Sequence, residues 1–362
     1  MDVYEIDRIQ FAVGQGGFHS GILKNQVREC KFVYVYDCGK SGNKGPLKRE
    51  IAEFNSIVGD SDIDEFFISH LDEDHVDGLK EITKNRKIVN LVIPAYGDEI
   101  EAVILLAKSN KRSIEKLKND YKISVQFIKW LAEQKISDNI ERIILLVSAD
   151  DEYPDVQQQL DSKVDVVVAK DYEYERKGRF SAFWKLIPYI NPRTLNKIQR
   201  KNISEFIKQQ GIKNFSDCDE IATWIADKNN RAALKRELKK QGVKINEASL
   251  SLYSGDSNGK NGWLLTGDIN LSANYRYNDF YGFYSKIISK AEIISTPHHG
   301  SSKNHKDNLY SDFKPTFIIS EAGICNGYGH PNAIMKNNIK HHIVTECPSS
   351  RVRKKIIIAE AR

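Results

Sequence analysis

The first part of the chain alternates apolar and polar residues in patterns typical of β-strands. This alternation covers Tyr4–Val13, and the glycine-rich stretch 14–17 then marks a turn. A helix is predicted around Pro46–Val58, and the apolar run Phe66–Ser69 is typical of a short buried strand. The same patterns predict strands at Gly21–Leu23, Phe32–Tyr36 and Val89–Pro94, and helices at Val76–Lys84 and Ile100–Asn119.

The segment Thr194–Lys244 differs from both flanks because charged and amide side chains dominate it. Its apolar residues recur at helical spacing, which predicts two or three helices. The segment contains no cluster of chemically reactive residues. We therefore interpret it as a helical insertion, or small subdomain, within one main domain that spans residues 1–362.

From Ala248 onward, strands and helices alternate. Two apolar runs joined by an Asn- and Gly-rich turn are typical of a hairpin. The predicted elements are strands at Ser249–Tyr253, Trp263–Thr266, Glu292–Ser295 and Phe317–Ser320, and helices at Tyr281–Ser289 and Pro331–Asn338. A β-rich half, a helical interlude and an alternating half fit an α/β (α+β) fold, in which helices cover the outer faces of two sheets.

Composition indicates a globular chain, since 40% of its 362 residues are hydrophobic and 28% are charged. The net charge of +5 permits a polyanionic partner without requiring one. The five scattered cysteines include no C-x-x-C pair, which favours a reducing compartment over a disulfide scaffold. No signal peptide is visible, and no apolar run approaches the roughly 20 residues of a bilayer span. We expect a soluble, cytoplasmic protein without membrane contact.

The densest group of reactive side chains is the stretch Ser69–Gly78, which follows a predicted buried strand and contains two histidines and four acids. Carboxylates packed this closely against a core repel one another unless a positive charge neutralises them. A bound divalent cation would do so, and imidazole with carboxylate suits Zn²⁺ or Mn²⁺. The alternative is an acidic, solvated loop.

Three further strand ends carry candidate ligands. Asp268 follows the predicted strand at 263–266, His298 and His299 follow the strand at 292–295, and His330 follows the strand at 317–320. Alone, each histidine could be an ordinary core or surface residue. Because α/β sheets collect ligands at the carboxyl ends of their strands, four such ends favour a single site.

These strings resemble the motifs of metallo-β-lactamase-fold hydrolases. The pattern H-x-D-x-D-H-x-D-G at 70–78 is similar to the H-x-H-x-D-H motif of that fold, with Asp72 in place of the second histidine. Together with V-G-Q-G, D-C-G, L-L-T-G-D, P-H-H-G-S and N-x-Y-G-H-P, it resembles the hydrolase domain of the competence DNA-uptake channel family and its stand-alone soluble relatives. The resemblance covers the chain except about 194–244. It implies a four-layer αββα sandwich with a helical insertion.

The resemblance also implies a site for two divalent ions, Zn²⁺ or Mn²⁺. The implied ligands are His70 and Asp72 for one ion, Asp74, His75 and His298 for the other, and Asp268 as a bridge between them. Related hydrolases supply one further histidine before the hairpin of the bridging aspartate. Asn246 and its neighbours stand there in this chain. The first ion is therefore expected to bind weakly, or only with substrate.

Other residues near these motifs have expected roles in catalysis or substrate binding. Asp74 would orient a nucleophilic hydroxide, and His330 would act as a general acid or phosphate clamp. Asp77 would hold a ligating histidine through its other ring nitrogen. The remaining candidates lie beside the site. Gln15 is expected in a tight turn. His299, Ser301 and Lys303 follow the implied ligand His298 and are expected to contact substrate, and the amides of 300–303 could bind an anion at a helix start. Asn326 and Tyr328, before His330, are further substrate-binding candidates.

The expected substrate is a phosphodiester of DNA, RNA or a nucleotide. Three basic clusters could follow a phosphate backbone, although each could equally be a solvated face. They are Lys108, Lys111, Arg112, Lys116 and Lys118; Lys235, Arg236, Lys239 and Lys240; and Arg351, Arg353, Lys354 and Lys355. The alternatives are a small substrate, such as a cyclic nucleotide, phosphocholine ester or lactone, and an inactive binding module of a defence or DNA-handling complex, with the insertion contacting a protein partner.

Overall fold

Two β-sheets packed face to face form the centre of the molecule. The computed structural model describes residues 2–27, 30–95, 124–147, 164–170, 180, 182–190, 197–212, 220, 223–225, 227–241, 249–256, 260–332 and 339–360. Within them, one sheet has eight strands and the other has six.

The first sheet has the strand order β14-β1-β2-β3-β4-β5-β6-β7. Its strands are β1 (Asp2–Gln10), β2 (Phe18–Asn25), β3 (Cys30–Cys38), β4 (Ile63–Phe67), β5 (Ile88–Pro94), β6 (Ile140–Val147), β7 (Asp165–Lys170) and β14 (Val352–Glu360). The pairs from β14 to β3 are antiparallel, and the pairs from β3 to β7 are parallel. Parallel strands are buried on both faces, which explains continuous apolar runs such as that of β6.

The second sheet has the strand order β13-β12-β11-β10-β9-β8. Its strands are β8 (Trp184–Ile190), β9 (Leu250–Asp256), β10 (Trp263–Leu265), β11 (Ile293–Ser295), β12 (Phe317–Glu321) and β13 (Lys340–Val344). The two pairs from β8 to β10 are antiparallel, and the pairs from β10 to β13 are parallel.

Helices cover the outer faces of both sheets. The helices are α1 (Gly45–Val58), α2 (Glu73–Val76), α3 (Leu79–Ile82), α4 (Ser124–Glu133), α5 (Lys197–Gln209), α6 (Lys228–Lys240), α7 (Asn274–Tyr284) and α8 (Asn308–Phe313), of which α5 and α6 lie within the predicted insertion. One apolar core lies between the first sheet and α1, α3 and α4, a second lies between the two sheets, and a third lies between the second sheet and α7 and α8. These layers confirm the predicted αββα sandwich.

The sequence of α1 shows how a helix attaches to its sheet. Pro46 lies at its first turn, where the missing N–H leaves no intrahelical hydrogen bond unmade. Leu47, Ile51, Phe54 and Val58 recur at helical spacing and are buried together in the first core.

Two predicted helices are placed differently in the structure. The helix expected at Val76–Lys84 is divided into α2 and α3, because the amide of Gly78 donates to the carbonyl of Cys38 instead (2.7 Å). A Cβ at Gly78 would lie 2.3 Å from the sulfur of Cys38, so the chain passes too closely there for any other residue. The helix expected at Tyr281–Ser289 is α7, which begins and ends earlier. The helix expected at Ile100–Asn119 and all but two residues of the one at Pro331–Asn338 lie outside the described residues.

Within the predicted insertion, the described residues include α5 and α6. The side chains of Gln199 and Asn202 on α5 donate to the backbone and side-chain oxygens of Gln241, just after α6. Leu234 and Leu238 of α6 are buried. The helical content expected for this segment is therefore present, and its status as a subdomain stays a prediction.

Four of the five cysteines fall within the described residues, and all four are unpaired. Among the helices described, none has the length and apolar character needed to cross a bilayer.

The basic residues at 351–355, on β14 and directly before it, are neutralised by acids of the same fold. The guanidinium of Arg353 binds the carboxylate of Asp7, and the ammonium of Lys354 binds Glu292. Lys355 lies 3.6 Å from Asp7. Arg351 forms two hydrogen bonds with Glu50. This cluster therefore joins the edge strand to its neighbours, and it contributes little free positive charge for a phosphate backbone.

Glu50 on α1 generates a prediction about stability. Its fully buried carboxylate accepts from both Arg351 and Arg49 and from the amide of Ala12. Glu50→Ala should lower the free energy of unfolding by about 3 kcal/mol, because it removes a buried ionic network. Glu53→Ala is the matched control, since Glu53 is 38% exposed and its carboxylate lies 3.4 Å from Nη1 of Arg351. It should cost about 0.5 kcal/mol. Equal effects in urea unfolding would contradict this account of the α1–β14 contact.

Candidate metal centre

The candidate residues meet at one edge of the sandwich, where five parallel strands end. In the first sheet, β3 leads to Asp37 and β4 leads to the stretch from Ser69 to His75. In the second sheet, β10 leads to Asp268, β11 leads to the two adjacent histidines, and β12 ends at Glu321. Both sheets therefore contribute to the site at their carboxyl ends, as expected for ligand sites in parallel sheets.

Asp268 is surrounded by four imidazoles. Its Oδ1 lies 3.6 Å from Nε2 of His75 and 3.5 Å from Nε2 of His299. Its Oδ2 lies 3.6 Å from Nε2 of His70 and 3.4 Å from Nε2 of His298. Each carboxylate oxygen thus has two ring nitrogens beside it, which is the arrangement of a carboxylate shared by two cation sites.

These distances suit metal ligands better than hydrogen bonds. Two ligands at about 2.0–2.1 Å from a tetrahedral Zn²⁺ lie roughly 3.3–3.4 Å apart. Nitrogen-to-oxygen hydrogen bonds are shorter, at about 2.7–3.2 Å. Moreover, Nε2 of His75, Nε2 of His299 and Oδ1 of Asp268 are buried without a hydrogen-bond partner. Buried polar atoms left in this way require a partner, and a cation among them would supply it.

Asp74 and Asp72 complete the donor set on the solvent side. Oδ2 of Asp74 lies 3.5 Å from Nε2 of His299, and its Oδ1 lies 3.9 Å from Nε2 of His75. Oδ2 of Asp72 lies 3.9 Å from Nε2 of His70. Three overlapping groups have donor atoms close enough together to hold a cation: His70, His75 and Asp268; Asp74, His75 and His299; and His70, Asp72 and Asp74.

The structure thus brings together all six residues that the resemblance implies as ligands, but it arranges the adjacent histidines differently. His299, rather than His298, lies against Asp74 and His75. His298 faces the other oxygen of Asp268, on the side of His70. The expectation that His299 contacts substrate therefore changes, because its free nitrogen points at the donor set.

A left-handed turn places the two histidines. His298, His299 and Gly300 have φ values of 48°, 57° and 83°, a region that non-glycine residues rarely adopt. The surrounding structure holds this strained backbone, since the amide of His298 donates to the carbonyl of Gly267 (2.9 Å) and the amide of Asn332 donates to Gly300 (3.1 Å). As a result, two neighbouring side chains reach opposite oxygens of one carboxylate.

Asp37 orients His75, a role that sequence reasoning assigned to Asp77. Oδ2 of Asp37 accepts from Nδ1 of His75 at 2.8 Å, and its Oδ1 accepts from the amide of Ser69 at 2.7 Å. Asp77 instead forms an ion pair with Lys44 at 2.9 Å on the partly exposed side of α2. The motif D-C-G at the end of β3 was the available signal for Asp37, but its distance of 38 residues from His75 hid the contact.

Two further imidazoles of the centre, those of His299 and His70, are also held through Nδ1. Nδ1 of His299 donates to the carbonyl of Glu321 at 2.9 Å, and Nδ1 of His70 lies 3.0 Å from the hydroxyl of Ser69. With Nδ1 engaged, each ring presents Nε2 to the centre, which is how proteins select the tautomer of a metal-binding histidine.

Burial and mutual charge shift the pKa values in the site. Burial alone would lower the pKa of His75, but the carboxylates of Asp37 and Asp74 raise it to about 10. Burial lowers the pKa of His70, and the neighbouring His75 adds to this effect. Although burial opposes their ionisation, the surrounding imidazoles hold the pKa values of Asp74 and Asp268 well below their usual range. The carboxylates are therefore ionised at neutral pH and available to a cation.

His330 lies at the outer margin of the centre. Its ring lies 5.8 Å from the ring of His298 and is nearly parallel to that of Tyr328, with 5.9 Å between the centroids. Desolvation and the nearby His298 and His299 lower its pKa. Asn326 closes this loop, because its side-chain amide donates to the carbonyls of Gly323 and His330, both at 2.7 Å. Asn326 is therefore occupied in holding the loop.

The remaining candidates have different surroundings. The amide of Ser301 donates to the carbonyl of His298, the amide of Ser302 donates to the side chain of Asn332, and Lys303 is exposed. The helix start expected at 300–303 is not there, since the next helix of the described chain, α8, begins at Asn308. Gln15 lies in the expected turn beside the site, where the neighbouring Gly17 amide donates to the carbonyl of Asp74 (3.0 Å). Asn246 lies outside the described residues.

A small cavity opens among the donor atoms. Its volume is about 20 Å³, enough for a single water molecule. Its lining includes His75, Asp268 and His299, together with Gln10 and His19 deeper between the sheets. The centre thus has room for small species and is walled by both sheets.

No family model and no curated protein matches the chain. Two similar solved structures are the metallo-beta-lactamase fold protein YhfI from Bacillus subtilis and unliganded yeast PDE1. YhfI is 8% identical with a TM-score of 0.39, and the alignment covers 98% of this chain and 99% of YhfI. PDE1 is 11% identical with a TM-score of 0.38, and the alignment covers 97% of this chain and 99% of PDE1.

The order of the strands in the two sheets and the three apolar cores define the αββα architecture of this chain. The resemblance to the competence DNA-uptake family stays a prediction.

The contrast between Asp37 and Asp77 can be tested by metal titration. Asp37→Asn should weaken Zn²⁺ or Mn²⁺ binding by about 10- to 100-fold, because His75 would lose the carboxylate that orients its ring. Competition with a chromophoric chelator measures this affinity. Asp77→Asn is the matched control, since it removes only the ion pair with Lys44. A larger loss in Asp77→Asn than in Asp37→Asn would overturn the assignment.

Proposed function

We propose that this protein is a metal-dependent hydrolase of phosphodiesters, acting on DNA, RNA or a nucleotide. The observation that carries the proposal is the environment of Asp268, whose two oxygens each lie 3.4–3.6 Å from two imidazole nitrogens. No packing requirement calls for four imidazoles around one buried carboxylate. A pair of divalent cations sharing that carboxylate explains every one of them.

The ligand sets follow from which oxygen each histidine faces. Asp74, His75 and His299 would hold one ion together with Oδ1 of Asp268. His70, Asp72 and His298 would hold the other together with Oδ2. In this assignment His298 supplies the imidazole that the resemblance expects near Asn246. The first site then has as many protein ligands as the second, and weak binding is no longer expected there.

Two such cations, when bound, make a water molecule acidic enough to deprotonate near neutral pH and polarise a phosphoryl oxygen. The residues of this chain do the remaining work. Asp74, 22% exposed beside the centre, would accept a hydrogen bond from the nucleophile and so orient it. His330 lies farther out and is partly exposed. There it would contact the leaving group or a non-reacting phosphate oxygen of the substrate.

Charge permits a phosphodiester at the centre. Two divalent ions would carry four positive charges against the three carboxylates of Asp72, Asp74 and Asp268 and one hydroxide, so the acids would no longer repel an anionic substrate. A phosphocholine ester is a zwitterion and would need an acidic or aromatic pocket for its ammonium group. A nucleotide phosphodiester needs neither, and it fits a site that is open on the side of Asp72 and Asp74.

The proposal is tested with bis(p-nitrophenyl) phosphate and protein loaded with Mn²⁺ or Zn²⁺. The wild-type protein should hydrolyse the ester and bind two ions per chain. Asp268→Ala should lower kcat at least about 1000-fold, because both ions lose a ligand and the shared charge. His299→Ala and His298→Ala should each lower the metal content toward one ion, measured by plasma mass spectrometry.

His342→Ala is the control for a histidine outside the centre, since His342 lies on the edge strand β13 and its ring donates to the carbonyl of Ser350. It should keep both ions and the wild-type rate. A wild-type protein that takes up neither metal, or that is loaded and leaves every phosphodiester intact, would refute the proposal.

A further inference from the structure

The loop that follows β12 exposes two large apolar side chains beside the centre. Ile324 and Tyr328 are 71% and 68% exposed, and both lie between Glu321 and His330. Exposed apolar residues scattered singly are ordinary, but Tyr328 lies directly beside His330 at the margin of a polar site. The metal ligands themselves do not require an exposed ring there.

The ring of Tyr328 continues a row of aromatic rings that leads out of the centre. Nε2 of His298 lies 3.4 Å from Asp268, the ring of His330 lies 5.8 Å from that of His298, and the ring of Tyr328 follows at 5.9 Å. The planes of His330 and Tyr328 differ by only 12°. A flat group stacked on the exposed ring of Tyr328 would therefore lie beside His330, and a phosphate attached to it would extend past His330 toward the centre.

The loop is held in place before any ligand arrives. The side chain of Asn326 donates to the carbonyls of Gly323 and His330, and its Oδ1 accepts from the amide of His330 at 2.8 Å. The carboxylate of Glu346 accepts from the amide of Ile324 at 3.0 Å. A platform that is already rigid loses little conformational entropy on binding, so stacking on it contributes more to affinity.

From these observations we propose that Tyr328 is a stacking platform for an unpaired nucleobase whose phosphodiester enters the metal centre. This inference rests on the proposed function and specifies its substrate. Bases stack on aromatic side chains without regard to sequence, so the recognition is for a nucleobase in general. A base held in duplex is unavailable for such a contact, which favours single strands or small nucleotides.

The experiment compares two esters with the same leaving group, thymidine 5′-(p-nitrophenyl phosphate) and ethyl p-nitrophenyl phosphate. The measured quantity is the ratio of their kcat/KM values. Tyr328→Ala should lower this ratio by about 10- to 100-fold, mainly through KM for the nucleoside ester, as expected for the loss of one stacked base. Tyr328→Phe should restore it, since the ring alone stacks. Calorimetry with thymidine 5′-monophosphate against ethyl phosphate should show the same selective loss of binding.

Tyr275→Ala is the control, because Tyr275 is a comparably exposed tyrosine (62%) on α7. It should leave the ratio unchanged. An unaltered ratio in Tyr328→Ala, or equal losses on both esters, would overturn the inference. Hydrolysis of the ethyl ester by the wild-type protein separately reports the proposed function, so the two failures are distinguishable.

Competition between two ligands identifies the source of the base. A single-stranded thymidine tetramer and a cyclic dinucleotide compete with the nucleoside ester, and the tighter competitor shows whether a strand or a small nucleotide delivers it. In either case the competition must weaken in Tyr328→Ala, and competition that this substitution leaves intact would contradict the platform.

Discussion

The carboxylate of Asp268 imposes the constraint on which the rest of the structure depends. Four imidazole nitrogens must stay within 3.4–3.6 Å of its two oxygens, although two of them come from one sheet and two from the other. The relative position of the sheets is therefore part of the site. The amide of Leu250, on the second sheet, donates to the carbonyl of Ser69 at 2.7 Å. A Cβ at Gly267 would meet the side chain of Ser69 at 2.7 Å, so the two strand ends are as close as backbones allow.

Much of the fold could be predicted from the sequence, because local patterns determine most of its elements. The apolar runs predicted as strands are strands, including the run that becomes β12. The convergence of Asp268 and the histidines could also be predicted, since each follows a strand and parallel strands end at a common edge. Where the prediction was wrong, as in the helix expected at Val76–Lys84, a distant contact of Gly78 with Cys38 had prevailed over local helical spacing.

The details of the site depended on contacts that no local pattern contains. The choice between Asp37 and Asp77 as the partner of His75 is made by β3, which lies far earlier in the chain. Which oxygen of Asp268 each of two adjacent histidines faces is decided by a left-handed turn, and the sequence P-H-H-G does not specify that conformation. Likewise, the sequence of the basic residues at 351–355 is compatible with a phosphate-binding face. In the structure, however, Glu50 neutralises Arg351 and Asp7 neutralises Arg353.

The pairing of β14 with β1 has a consequence for how the molecule forms. The two strands are joined by ion pairs such as that of Asp7 with Arg353, whose sequence separation is 346 residues. During synthesis, β1 can pair with β2 early, but its other edge stays open until β14 has left the ribosome. Pairing over so long a chain segment is slow, and an uncovered strand edge is a template for intermolecular association. The first sheet is therefore most vulnerable to aggregation in the interval before β14 arrives. Asp7 on β1, which binds Arg353 of β14, is already synthesised by then.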